Sequence, residues 1–186
     1  MKRRFLLLIL CFAMFLTSVG AASGPPDTEE ALMAQLADMP MEELLKTAEE
    51  VSAKAGEPEA MISYASAIAY RLDELPDEQV LSLAANKEKP EYFREIMLEL
   101  CDLMKSDGNL KDLSVLEDIF SDKSDNEAVR IKAGYLIENP KLLEEIVWQD
   151  DGNVAYQALK ALRFVDSDCA LKRQIQFLKT TIVFLS

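Results

Sequence analysis

Five prolines, Pro40, Pro58, Pro76, Pro90 and Pro140, each stand just before a stretch in which apolar residues recur with helical spacing. This punctuation restricts the chain to a string of short helices. Proline at the first helical position loses no hydrogen bond and arrives with its φ already set, whereas inside a helix it removes a bond and collides with the preceding turn. Acidic residues follow most of these prolines, at Glu42 and Glu43, Glu59, Asp77 and Glu78, and Glu91, where carboxylates meet the positive end of the helix dipole. Ser124 and Glu127 have the spacing of a capping box, and Asn139 stands where a cap for the helix opened by Pro140 belongs. The pattern predicts helices over 28–37, 40–55, 58–74, 76–86, 90–105, 110–121, 125–138, 140–149, 152–165 and 168–185. No segment alternates as a strand. Gly56, Gly108 and Gly152 fall in the connections, and short connections make consecutive helices antiparallel neighbours. The expected class is all-α.

A repeat runs through the second helix of each pair. Apolar residues recur at i, i+4, i+7 and i+11 as Met61, Ala65, Ile68 and Leu72, then Phe93, Met97, Leu100 and Met104, then Val154, Ala158, Ala161 and Val165. Val129, Ala133 and Leu136 follow the same spacing until Pro140 intervenes. First helices open at 40, 76, 110 and 140. A period of this size marks stacked helical hairpins, each too small to bury its own apolar face. The reading is therefore an α-solenoid of about four antiparallel hairpins over residues 28–186, with the last helix as a cap.

Two of these second helices carry a family resemblance. Asp125-Asn-Glu-Ala-Val-Arg-Ile-Lys-Ala-Gly-Tyr-Leu136 and Asp151-Gly-Asn-Val-Ala-Tyr-Gln-Ala-Leu-Lys-Ala-Leu162 resemble the second helix of HEAT-type repeats, in which an acidic turn precedes Val-Arg, a small Ala and a Leu. The second copy departs from the pattern by having Ala155 where the Arg would stand. Gly56, Ala60, Tyr64 and Ala67 in the first hairpin are similar in spacing to a tetratricopeptide repeat. Both resemblances imply a solenoid with a surface for protein or peptide partners. HEAT-like repeats also occur in bilin lyases, whose intracellular setting does not suit the leader described next.

Residues 1–22 read as a secretory signal: Lys2, Arg3 and Arg4 form a basic start, Phe5 to Val19 is apolar apart from Thr17 and Ser18, and small residues precede Ser23. Residues 23–27, with Pro25 and Pro26, read as a linker. The expectation is an exported protein, periplasmic or secreted, with no membrane attachment once the signal is cleaved. Its removal leaves 17 basic and 33 acidic residues, net −16. Such a charge opposes nucleic acid and anionic membrane surfaces. Residues 23–151 are net −19 and residues 152–186 net +3. Cys101 and Cys169, the cysteines that remain, make no disulfide framework.

The chain contains no histidine, which removes Ser-His-Asp and Cys-His catalysis and His-ligated zinc. There is no glycine-rich phosphate loop. Asp122 with Asp125, and Asp150 to Asn153, lack the ligand ladder of an EF-hand and read as turns. No metal, cofactor or enzymatic activity is expected, and a carboxylate-based enzyme is the least favoured reading.

What composition leaves is a non-enzymatic interaction scaffold. If the second helices line the concave side, as the HEAT-like resemblance implies, the positions facing outward include Tyr70, Leu98, Ile131, Tyr156 and Arg163, the candidate groove residues. Trp148, at a helix end beside Ile146 and Val147, reads as core. The alternative is a self-associating structural protein of the cell envelope. Leu171, Ile175, Leu178, Ile182 and Leu185 form a stripe on the terminal helix that a second copy or a partner would cover.

Overall fold

The computed structural model describes residues 26–54, 59–110, 112–150, 152–172 and 174, with backbone alone for 26–31, 59 and 60. The signal and most of the terminal stripe, from Ile175 onward, lie outside the described residues. Among the described residues every element is helical: α1 (Pro26–Asp38), α2 (Met41–Lys54), α3 (Glu59–Tyr70), α4 (Asp77–Ala85), α5 (Glu91–Ser106), α6 (Ser114–Ser121), α7 (Glu127–Gly134), α8 (Pro140–Gln149) and α9 (Gly152–Val165). A single 3-10 turn, Leu72–Glu74, follows α3, and helical backbone resumes over 167–172. The chain divides into two compact units, residues 1–38, to which α1 belongs, and 39–186, which holds the remaining helices. No described helix is long and apolar enough to cross a membrane.

The prolines do start helices, but mostly from one position earlier than expected. Pro76 and Pro90 are caps with extended backbone, and their carbonyls accept from Val80 N at 3.2 Å and Arg94 N at 3.0 Å. The Pro40 carbonyl accepts from Leu44 N at 2.9 Å in the same way. A cap needs a carbonyl and a fixed φ, both of which proline supplies. Pro140 alone among these occupies the first turn, with Asn139 as its cap accepting from Leu142 N at 3.3 Å. Pro26, read as linker, lies inside α1.

The capping box does not form. Ser124 turns back to Asp122, whose Oδ1 accepts from Ser124 Oγ at 2.7 Å and Ser124 N at 2.9 Å, and Asn126 caps α7 instead. A similar turn delays α6: the Asp112 carboxylate holds Ser114 N at 2.9 Å, so the helix begins at 114 and not at 110. α7 stops at Gly134, short of 138, with Tyr135 as its cap. The Leu136 N to Ala133 O bond, 2.9 Å, tightens its last turn.

Helices consecutive in the chain touch in pairs, α2 with α3, α4 with α5, α6 with α7 and α8 with α9. Further contacts run from α5 to α7, from α7 to α9, from α4 to α6 and from α2 to α5. The stripes supply much of the core: Met61 and Ile68, then Phe93, Met97, Leu100 and Met104, then Val129, Ala133 and Leu136, then Val154, Ala158 and Ala161 are buried, while Ala65 and Leu72 are half-buried and Val165, expected to close the last stripe, is exposed. Gly134 lets α6 and α7 meet closely, since a Cβ there would lie 2.6 Å from Cε2 of the fully buried Phe120. Cys101 and Cys169 carry free thiols. Burial, reinforced by the neighbouring Asp102, pushes the Cys101 thiol up to about 12, so it behaves as a small inert hydrophobe.

Two buried arginines repeat one set of bonds thirty-six residues apart. Arg94 on α5 donates from Nε to the Ala84 carbonyl at 2.8 Å, where α4 ends, and from Nη1 and Nη2 to both oxygens of Asp125 at 2.6 Å. Arg130 on α7 donates from Nε to the Phe120 carbonyl at 3.0 Å, where α6 ends, and from Nη2 to Asp150. Each arginine thus ties its own preceding helix end to the turn of the next pair. Lys87 and Lys123 repeat at the same separation: Lys87 bonds Asp122 and Ser124, and Lys123 bonds the Gln149 carbonyl. Burying the two arginine charges is tolerable only because each is paired and hydrogen-bonded.

Candidate functional site

A polar surface runs over α5, α7 and α9. On α5, Glu91, Glu95 and Glu99 recur every fourth residue and form one ridge. α7 holds both ends of it, Asn126 Nδ2 donating to Glu91 at 2.8 Å and Lys132 Nζ pairing with Glu99 at 2.6 Å. Burial holds the Glu95 carboxyl above its ordinary range; Lys132 opposes the shift and the adjacent Glu91 and Glu99 add to it. From α7 to α9 the chemistry changes. Asn153 Nδ2 donates to Glu127 at 2.8 Å, and Lys160 Nζ stands over two aromatic rings, 5.3 Å from the centre of Tyr135 and 5.8 Å from that of Tyr156. The surface therefore grades from acidic on α5 to aromatic and basic on α9.

At the basic end lies a cleft of about 540 Å³. One wall is α9, with Gln157, Lys160, Ala161, Phe164 and Val165; the other is the segment after α7, with Tyr135, Ile137 and Glu138, and Lys105 from the last turn of α5. Lys105 is engaged, pairing with Glu138 at 2.8 Å and donating to the Leu136 carbonyl at 2.7 Å. Phe164 is 90% exposed, Tyr156 64% and Tyr135 57%, a cluster of large rings left to solvent.

The five candidate groove residues do not gather in one place. Tyr156 and Arg163 are exposed on α9, beside the cleft, and Ile131 is half-buried on α7. Tyr70 is exposed at the end of α3, next to the Arg71–Glu74 pair and away from the residues that line the cleft. Leu98 is 1% exposed and belongs to the core. Its position was read as outward, but α5 touches α2, α4 and α7, so it buries a wider arc than a helix with one partner. Trp148, read as core, is 42% exposed, while Leu143, Ile146 and Val147 form the buried face of α8.

The reading missed Tyr135, Gln157, Lys160 and Phe164. One of them had a signal: Gln157 interrupts the apolar face three residues after Val154, a polar residue at a core position. Among the described residues no group of three or more Cys, Asp or Glu side chains is arranged to hold a metal ion. No protein-family model, no curated protein and no solved structure matches the chain.

Proposed function

We propose that this chain is an exported, non-enzymatic interaction scaffold built from HEAT-like repeats, its antiparallel hairpins stacked into an α-solenoid that presents the α5–α7–α9 surface to a protein or peptide partner. The observation that carries the reading is the repeated arginine ladder. Arg94 and Arg130 occupy equivalent places in successive hairpins and make equivalent bonds, backward to a helix-end carbonyl and forward to an acidic turn. Nearest-neighbour bonding of this kind is what a stack of repeats requires. Val-Arg after an acidic turn is also the feature on which the HEAT resemblance rests. The exposed rings on α9 supply a contact surface with a polar rim, the anatomy of a recognition patch.

Export is tested by mass spectrometry of the expressed chain, which should find a new N-terminus near Ala22 or Ser23; an intact Met1 in the cytoplasm overturns it. Binding is tested by crosslinking capture from an envelope fraction, with the exported chain and its Tyr156→Ser variant as baits. A partner captured by the first and lost with the second supports the scaffold. Equal capture by both moves the surface elsewhere, and reproducible absence of any partner overturns the reading.

Self-association is the second reading, favoured by Phe164 and by Leu171, 57% exposed, at the end of the chain where the charge turns positive. Light scattering at tens of micromolar distinguishes it: a dimer supports it and a monomer dismisses it.

A further inference from the structure

The geometry points to the cleft between α9 and the segment after α7 as a binding site for an acidic peptide, an aspartate or glutamate flanked by apolar residues. This inference rests on the scaffold reading and specifies its ligand. Three observations carry it.

Gln157, only 3% exposed, lines the cleft and places a polar side chain in its wall. A polar side chain in the wall of a cavity offers an entering ligand a hydrogen bond that fixes its orientation. A carboxamide offers N–H donors and a carbonyl acceptor side by side, the complement of the N–H and C=O of one residue in an extended peptide.

Lys160 is the second. Lys87, Lys89, Lys105 and Lys132 each hold a carboxylate of their own chain. Lys160 has no carboxylate within ion-pair distance among the described residues and is held instead over the Tyr135 and Tyr156 rings. Attraction to the two ring faces holds the ammonium beside the cleft, where it can meet an incoming anion.

The third is the apolar wall. Ile137, Ala161 and Val165 line the space beside Gln157, and Phe164 projects at its rim. A ligand with a main-chain amide, one carboxylate and an adjacent apolar side chain would satisfy all three features together. A single ammonium suits a carboxylate better than a phosphate, whose recognition draws on several cations or a run of backbone amides. The acidic body does not forbid such a ligand, because at physiological salt charges beyond about 8 Å are largely screened.

The test selects random displayed dodecapeptides on the exported chain and measures a labelled synthetic copy of a selected sequence by fluorescence anisotropy. Expected are sequences with Asp or Glu beside an aliphatic or aromatic residue. Affinity should fall about tenfold or more with Lys160→Met, and similarly when the peptide's acid is replaced by its amide. The two changes together should cost little more than either alone, a coupling that a general loss of structure would not produce. Gln157→Leu should weaken binding while circular dichroism and the melting temperature stay near wild type. Acidic peptides insensitive to both substitutions, or selection of basic peptides, overturn the cleft and leave the scaffold reading intact. Failure to select any peptide overturns the cleft as well; whether the scaffold survives is then decided by the capture experiment with folded partners.

Discussion

Replacing Arg94 by methionine should be among the most damaging single changes in this protein, and its cost follows from the bonds it breaks. The Arg94 and Asp125 side chains are each 3% exposed and meet through two bonds of 2.6 Å, and Arg94 Nε also satisfies the Ala84 carbonyl. Methionine fills much of the volume but leaves a carboxylate buried without a cation and a carbonyl without a donor. Breaking a buried pair from one side costs about 3–5 kcal/mol, a fifth or more of the roughly 5–15 kcal/mol that holds a typical domain together. Removing both partners is different, because no charge is stranded. The double variant Arg94→Met with Asp125→Leu should recover most of the loss, less the bond that Asp125 Oδ1 accepts from Asn126 N at 2.7 Å.

The effect also has a pH signature. Burial acts to raise the Asp125 carboxyl, but the Arg94 hydrogen bonds, the Asn126 amide and the charges of Arg94 and Lys87 outweigh it, so its native pKa lies below the ordinary carboxylate range. A depressed carboxylate stabilises the fold above its unfolded pKa of about 3.9, and that contribution is lost as pH falls through the native value. Without Arg94 the sign reverses: burial dominates, the native pKa rises, and acid relieves the variant by neutralising the stranded charge. Urea unfolding followed by circular dichroism should therefore show a large gap between wild type and Arg94→Met at pH 7 that narrows toward pH 4. A gap under about 1 kcal/mol at pH 7, or one that does not change with pH, would refute the account of Arg94 as a paired, buried charge.

Two further outcomes concern the core. Leu100→Ala and Leu162→Ala, at fully buried stripe positions, should each destabilise by about 2–5 kcal/mol in the same assay, whereas exposed Glu50→Ala should stay within about 0.5 kcal/mol; equal small effects at both classes would mean that the stripes do not face the core. Gly134→Ala should cost about 1–3 kcal/mol despite the better helix propensity of alanine, because its Cβ would meet the Phe120 ring at 2.6 Å; a stabilised variant, read by its melting temperature, would show that Phe120 can yield.

The elements that could be read from sequence are those whose cause is local. The 3.6-residue period of Phe93, Met97, Leu100 and Met104 is set by burial of one helix face and needs no knowledge of the partner. Helices 140–149 and 152–165 were bounded correctly because their ends are marked by Asn139 and Pro140 and by Gly152, whose φ of 59° favours glycine. Where two local signals competed, the choice was not legible. Ser124 could have capped α7, but Asn126 stands closer to the helix and Asp122 claims the serine.

Features created by tertiary packing were not legible at all. An arginine in an amphipathic helix reads as surface, and nothing near Arg94 announces that Ala84 and Asp125, ten residues before it and thirty-one after, converge on its guanidinium. The same limit governs the site. Tyr156 and Arg163 were reachable from the phase of one helix, whereas Lys160 joins Tyr135 only because α9 packs against α7. Leu98 failed for the converse reason, since the phase was right for a helix with one neighbour and α5 has several. Phase alone finds exposed side chains; the sharper signal was Gln157, a polar residue whose phase places it inside. A carboxamide that the helix phase turns inward and that lines the cleft makes Gln157, more than any exposed ring, the residue through which the site can be found.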